Sequence, residues 1–278
     1  MNFPGPWYVD STCINCDACR QIAPDTFAEA EDYAYVKAQP QDDEQRKKAT
    51  QALICCPTGS IGTEESIDAA AAIQSFPQQL QPNIYYTGFN SPAADGGNSY
   101  LITHSDGNWL IDSPRYHRHL KSRFSEMGGI DFNFFTDIEY HQDSQRYHDS
   151  FDFQRMVHSA DLNALSDADI VTRGDEPQSL IDDFIIIPVP GLPFGNQVLL
   201  YKNRMLFSGR HIWWNPYYQQ LQCPKYPDKI SRTNHQKFLE TLIEFPVEGI
   251  FPSHAHRVYS AAEEMKELLL TQLQTLID

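Results

Sequence analysis

The sequence predicts an α+β protein: a small cysteine-rich module followed by a larger domain of two sheets with helices outside. Three observations predict it. Five of the six cysteines fall before residue 57. After residue 83, short apolar runs bounded by turn residues come in two series, each finished by helical segments, the pattern of an αββα sandwich. Between the two textures, residues 63–82 read as a short helix and then a Pro/Gln-rich linker, with Ser66 or an acidic neighbour as its cap and Pro77 as its stop. The expected organisation is therefore a module at 1–62, a linker at 63–82 and a large domain at 83–278.

In order along the large domain, IYYTGF, NSYLITH and NWLID read as strands, separated by turns at Asp95–Asn98 and Ser105–Asn108. A helix follows at 117–127, then strands at Asp131–Thr136 and Gln154–His158. A second series occupies Asp183–Val189, Gln197–Lys202 and Arg204–Ser208. A helix at Thr233–Glu244, a strand at Gly249–Phe251 and a helix at Ala261–Leu276 close the chain. No fixed-period repeat is present.

Composition narrows the function. Hydrophobic residues at 41% support a packed core. A net charge of −16, from 37 acids against 21 bases, argues against nucleic acid or an anionic membrane as the main partner. No apolar run reaches the ~18 residues a bilayer span needs. The start MNFPGPWYVD has no basic and then apolar stretch, so a secretory signal is not expected. Cysteines crowded at one end, with no export signal, point to metal ligation in a reducing compartment, the cytoplasm.

Cys13-Ile-Asn-Cys16-Asp-Ala-Cys19 is C-x2-C-x2-C, three thiolates on one tight loop. In two-cluster ferredoxins the run continues x3-C-P, and that fourth cysteine ligates the other cluster. Here Ala23 stands in that place before Pro24. The remote end reads Cys55-Cys56-Pro57, and the three ligands that would precede Cys56 in a second run fall at Arg46, Ala49 and Ala52. None of these can ligate. One complete set remains: Cys13, Cys16, Cys19 and Cys56, expected to hold one 4Fe–4S cluster. A structural zinc site is the competing reading, but zinc favours paired C-x2-C arms. Cys55 reads as a buried bystander, or an alternative ligand if the register slips. Cys223 reads as a lone thiol.

These motifs resemble single-cluster bacterial-type ferredoxins over the first fifth of the chain. The resemblance implies one-electron transfer at low potential, tuned by hydrogen bonds and exposure. Asp17, Asp25, Glu29, Glu31 and Asp32 make the face acidic, as docking surfaces of electron carriers often are.

The large domain resembles the metallo-β-lactamase fold. NSYLI and WLIDSP are like its opening hairpin, PGLPFG at 190–195 like its PGHTPG loop, MLFSGR at 205–210 like its strand ending in Gly-Asp, and FPSHAH at 251–256 like its last ligand strand. The fusion of the two parts also resembles a family of bacterial and plant proteins. That fold family binds two metals through T-H-x-H-x-D-H, a later His, an Asp and a final His. Here Thr136 is followed by Asp137, Glu139, His141 and Gln142 in the ligand places, Leu192 replaces the PGHTPG histidine, Arg210 replaces the bridging Asp, and His254 is retained. Leu192 has no lone pair, and Arg210 puts a fixed cation where a carboxylate bridges two metals. A dinuclear hydrolytic site and its hydroxide are not expected. Asp137, Glu139, His141 and His254 could still form a mononuclear remnant, partly like the His-x-Glu-x-Asp of diiron flavoproteins of this fold. The favoured reading has Arg210 pairing with Asp137 or Glu139 and filling the old site. A second metal, zinc or iron, is not expected.

Trp213 and Trp214 read as packing residues or pocket walls, His117 and His119 as solvated, and His158 as a structural histidine. No Ser/His/Asp triad, P-loop or dinucleotide fingerprint is legible. The expected function is an iron–sulfur redox protein that transfers or senses one electron, with a redox protein or small ligand as partner. The alternative is a metal-dependent hydrolase or oxidoreductase with a remodelled site.

Overall fold

The computed structural model describes residues 2–190, 195–225 and 228–277. Two compact units divide the chain: Met1–Phe132 with Glu139–Phe153, and Asn133–Ile138 with Gln154–Asp278.

The first unit opens with β1 (Trp7–Val9), α1 (Ala18–Ile22), the hairpin β2 (Phe27–Ala30) and β3 (Tyr33–Val36), α2 (Asp43–Cys55) and β4 (Ile61–Thr63). β1 and β4 pair antiparallel, Val9 opposite Ile61, so the start and end of this module close on each other. α2 begins where Asp42 accepts the Gln45 amide at 2.8 Å, with Asp43 and Glu44 favoured at the positive end of the helix dipole. It stops at Cys55, because Pro57 cannot continue it. Ala23, Ala49 and Ala52 are fully buried and pack in one apolar cluster with Trp7, Phe27 and Val36. Three of the places where a second cluster would take its ligands are thus hydrophobic core, whereas Arg46 is half-exposed and donates to the Pro40 carbonyl at 3.1 Å.

Residues read as helix and linker form α3 (Ala69–Gln74), capped by Asp68 on the Ala71 amide at 2.9 Å, and a strand, β5 (Gln78–Gln81). β5 is followed by β6 (Ile84–Tyr86), β7 (Tyr100–Ile102) and β8 (Trp109–Ile111), an antiparallel meander in sequence order. α4 (Arg118–Glu126) comes next, and α5 (Ser144–Phe151) completes the unit. His117 and His119 are not solvated as expected. His117 stacks on Phe89 at 4.4 Å and caps α4, and His119 Nε2 lies 2.8 Å from the Phe76 carbonyl oxygen.

The second unit contains β9 (Phe132–Phe134, of which 133–134 belong to it), β10 (Gln154–His158) and β11 (Ile170–Thr172), the last two paired in parallel. Its six-stranded sheet follows: β12 (Gln178–Ile181), β13 (Phe184–Pro188), β14 (Gln197–Tyr201), β15 (Met205–Gly209), then past the hairpin β16 (Trp213–Asn215) and β17 (Gln220–Gln222) and α6 (Lys229–Ile243), β18 (Gly249–Pro252) and β19 (Val258–Tyr259). The spatial order is β12-β13-β14-β15-β18-β19, with β15 and β18 parallel. β14, QVLLY, is buried at every position, as a strand covered on both faces must be. α6 and α7 (Ala262–Ile277) bury Phe238, Leu239, Leu242, Met265 and Leu269 in one core with Val198, Leu200 and Ile250. Trp214 packs against this core. Among the described residues no helix is long and apolar enough to cross a membrane.

Candidate metal centre

The loop before α1 is built to turn thiols inward. Asn15 (φ 56°) and Asp17 (φ 71°) both sit in the left-handed region, which Asn and Asp tolerate better than most residues. Their side chains are then held. The Arg20 guanidinium is buried, pairs with Asp17 and donates to Asn15 Oδ1 at 2.6 Å, while Asn15 Nδ2 donates to Glu29 Oε1 at 3.1 Å. A buried ion pair with its hydrogen bonds satisfied fixes the loop against α1. Nothing in the C-x2-C-x2-C spacing announces this clamp, which was missed in the sequence.

The four predicted cysteines line a common cavity, whose remaining wall is largely apolar: Val9, Ile14, Ala18, Ala34 and Ile61. Cys13, Cys16 and Cys19 come from the clamped loop. Cys56 comes from the end of α2, its amide donating to the Ala52 carbonyl at 2.9 Å. Amides point at sulfur: Ala34 N–H donates to Cys13 Sγ at 3.4 Å, and the Ala18 amide bonds Cys16. Burial pushes the Cys16 thiol up to about 12, and the thiols of Cys56 and Cys13 nearby push the same way. Burial raises Cys19 also, against the opposing Arg20 charge. Bare thiolates are therefore unfavourable in this dry cage, and bonding to cationic iron would remove the penalty. Among the described residues no three His, Cys, Asp or Glu side chains are grouped to hold a single ion. The four cysteines ring a cavity, as one thiolate per corner of a cube requires. The residues fit a 4Fe–4S cluster. Cys55 is fully buried beside Tyr86 and Phe89, and burial pushes its thiol up to about 12.

The large domain's site residues fall in different places. Asp137 follows β9 and is 1% exposed, its Oδ2 lying 3.2 Å from Arg210 Nε. The sequence left Arg210 pairing with Asp137 or Glu139, and Asp137 takes that place. Arg210 follows β15 through a left-handed Gly209 (φ 56°), where an added Cβ would stand 2.7 Å from Thr136 Cβ and Oγ1. Only glycine lets that strand end approach the Thr136–Asp137 segment. His254 follows β18, its Nδ1 3.2 Å from Ser253 Oγ. Glu139 and His141 sit on a one-turn 3₁₀ helix, Ile138–His141, in the first unit. Leu192 lies outside the described residues. Asp161 was not singled out in the sequence. Its carboxyl is pushed up to about 6, first by burial and then by the Asp137 charge. His211 is buried with His235 at 6.5 Å between ring centres, and burial pushes both down to about 3.

A family model described as the 4Fe-4S single cluster domain of Ferredoxin I matches residues 9–63. No curated protein matches the sequence. Among solved structures, a chemotaxis sensor ODP, described as a peroxy diiron species, is similar at 14% identity and a TM-score of 0.50, over 70% of this chain and 92% of its own. A metallo-β-lactamase from Cronobacter sakazakii with a mutated HARLDQ motif is similar at 13% identity and 0.47, over 64% and 80%. An archaeal metallo-β-lactamase superfamily protein from Sulfolobus tokodaii is similar at 13% and 0.47, over 66% and 80%. Residues 9–63 thus match a single-cluster 4Fe-4S ferredoxin domain, and the fold of the chain is similar to that of the chemotaxis sensor ODP.

Proposed function

We propose that the protein is an iron–sulfur redox protein of the cytoplasm that passes or senses one electron, and that its metallo-β-lactamase-like part has lost the dinuclear hydrolytic site. The observation that carries the first half is the complete ring of Cys13, Cys16, Cys19 and Cys56 around one cavity. The cluster, when bound, supplies the one-electron couple. The chain supplies sulfur ligands, amide donors that stabilise charge on them, and a dry wall that limits water. Ile14, between two ligands, is 45% exposed. Asn15 beside it bonds the Glu29 carboxylate and the Glu31 carbonyl, at 3.1 and 3.4 Å. An apolar point beside the Glu29 carboxylate, on a chain of net charge −16, suits a redox partner with a basic surface, and neither nucleic acid nor membrane.

The second half is supported by the Asp137–Arg210 ion pair. A guanidinium in that place neutralises the carboxylate and repels a divalent ion. We therefore propose one cluster and no resident zinc or second iron site. Anaerobic purification with iron, sulfide, zinc and manganese analysis and EPR tests both halves. About four iron and four sulfide per chain is the expected result, since that is one cube. Zinc without acid-labile sulfide would overturn the cluster.

One observation favours a second reading, an enzyme with a remodelled site. The raised Asp161 carboxyl stands near a cavity of about 130 Å³ lined by His158 and Asn196. A carboxyl titrating near neutrality suits general acid–base work. A stoichiometric extra metal or a co-purified ligand would favour this reading.

A further inference from the structure

The turn between β6 and β7 lies against the thiolate cage. It runs through a 3₁₀ segment, Pro92–Ala94, then Asp95 (φ 50°) and Gly96 (φ 76°), and returns to β7. A Cβ built on Gly96 would stand 2.6 Å from Cys16 Cβ, 2.9 Å from Pro57 Cγ and 3.0 Å from Cys16 Sγ. Only a residue without a side chain passes there, and the positive φ makes the same demand. The backbone of one element thus touches two residues of the cage, a ligand on the loop and the proline after the remote ligand.

The close approach is held from several directions. Gly96 N–H donates to the Ser91 carbonyl at 2.8 Å. Asn90, fully buried, donates from Nδ2 to the Gly96 carbonyl at 2.7 Å, and its Oδ1 accepts from the Tyr86 hydroxyl at 2.6 Å. Nearby, the Arg115 guanidinium donates to the Ile54 carbonyl at 3.3 Å, two residues before Cys56. A buried, bonded amide such as Asn90 fixes a geometry more firmly than apolar contact alone.

We propose that the Asp95–Gly97 turn is a shield over the Cys16 corner of the cluster, with Gly96 as the positioning residue that sets how closely solvent reaches that corner. The inference rests on the cluster reading above. It makes the cage asymmetric: closed at Cys16 by a backbone that cannot be rebuilt with any other residue, and open where Ile14 faces solvent. Access of water and solutes to the iron, and the electronic environment of the Cys16 sulfur, then depend on residues more than thirty positions outside the cysteine module.

The test uses the full chain purified anaerobically with its cluster. Four proteins are compared: the parent, Gly96→Ala, Asn90→Ala and Gly174→Ala. Gly174 has a similar φ of 81° with nothing within 4 Å of an added Cβ, so it carries the backbone strain without the contact. Iron release to a ferrous chelator and the EPR spectrum of the reduced cluster are read. Gly96→Ala is expected to release iron roughly tenfold faster, the low end of what outer-shell partners of metal ligands cost, and to shift the g-values. Asn90→Ala is expected to move both readouts in the same direction, and Gly174→Ala to match the parent. Parental release and EPR in Gly96→Ala would overturn the shield, as would an equal acceleration in Gly174→Ala. If Gly96→Ala does not fold, parental behaviour of Asn90→Ala overturns it. A parent without iron and sulfide overturns the cluster reading itself, a separate failure.

Discussion

Arg210→Met tests the claim that this residue is the electrostatic counterpart of a buried carboxylate. The Asp137 side chain is fully buried and the Arg210 side chain is 35% exposed, with 3.2 Å between Nε and Oδ2. Removing one partner of a buried pair costs about 3–5 kcal/mol, because the other charge is left in a poor solvent. Water reaches a third of the guanidinium, so the low end applies, about 3 kcal/mol. With a urea slope of roughly 1.5–3 kcal/mol/M, the midpoint of the unit holding α6 and α7 should fall by about 1–2 M. Trp213 and Trp214, just after Arg210, give a fluorescence signal for that unit. Arg210→Met with Asp137→Asn should recover at least about half the loss, since the buried charge is gone. A loss under about 0.5 kcal/mol, or a double variant no better than the single one, would refute the pairing argument.

Three further outcomes are expected. Cys16→Ser and Cys19→Ser should each lower acid-labile sulfide well below the parent, whereas Cys55→Ser should keep about four iron per chain; iron loss in Cys55→Ser would move the ligand by one position. Ala49→Leu, at a site with no exposure, should cost about 1–3 kcal/mol in thermal or urea unfolding, because a buried alanine packed among apolar neighbours leaves little room for a larger side chain. His211 and His235 have folded pKa values pushed from 6.5 down to about 3, so the unfolded chain takes up their protons first. Stability should hold above pH 6.5 and fall between 6.5 and about 3, by up to about 1.4 kcal/mol per pH unit for each histidine. A His211→Phe, His235→Phe variant should show a flatter profile in the same unfolding series.

Residues that obey one strong local rule were legible. The cysteine spacing marked four residues that line one cavity, and apolar runs such as DFIIIPV and QVLLYK marked β13 and β14. Elements without such a rule were not. β5 and β12 read QQLQ and QSLI, polar strands whose existence depends on a neighbour's unpaired edge. α5, SQRYHDSF, has no capping side chain and too few apolar residues for a clear period. His117 and His119 were misjudged because a flanking Arg suggests solvent, while Phe89 lies 28 positions before His117 and Phe76 lies 43 before His119. In the large domain, the pairing of Arg210 with a carboxylate could be read from residue types alone. The Arg20 clamp, the Gly96 approach and the raised Asp161 depend on partners distant in sequence, which no spacing encodes.

Ala23, Ala49 and Ala52 give the small module a packed core beside its cysteine cavity. One end, around Trp7, Phe27, Ala23, Ala49 and Ala52, is an apolar core that continues to Cys19 and packs against Cys13 and Cys56. The other end, Cys13 to Cys19 with Cys56, surrounds a cavity that iron and sulfide would fill. A chain stripped of its cluster should then keep slow amide exchange along α2 and β1 while the cysteine loop exchanges fast. The apo-protein is in that case a folded receptor with one unfinished corner, and a cluster delivered whole by an assembly donor would meet a partner that needs only to close a loop.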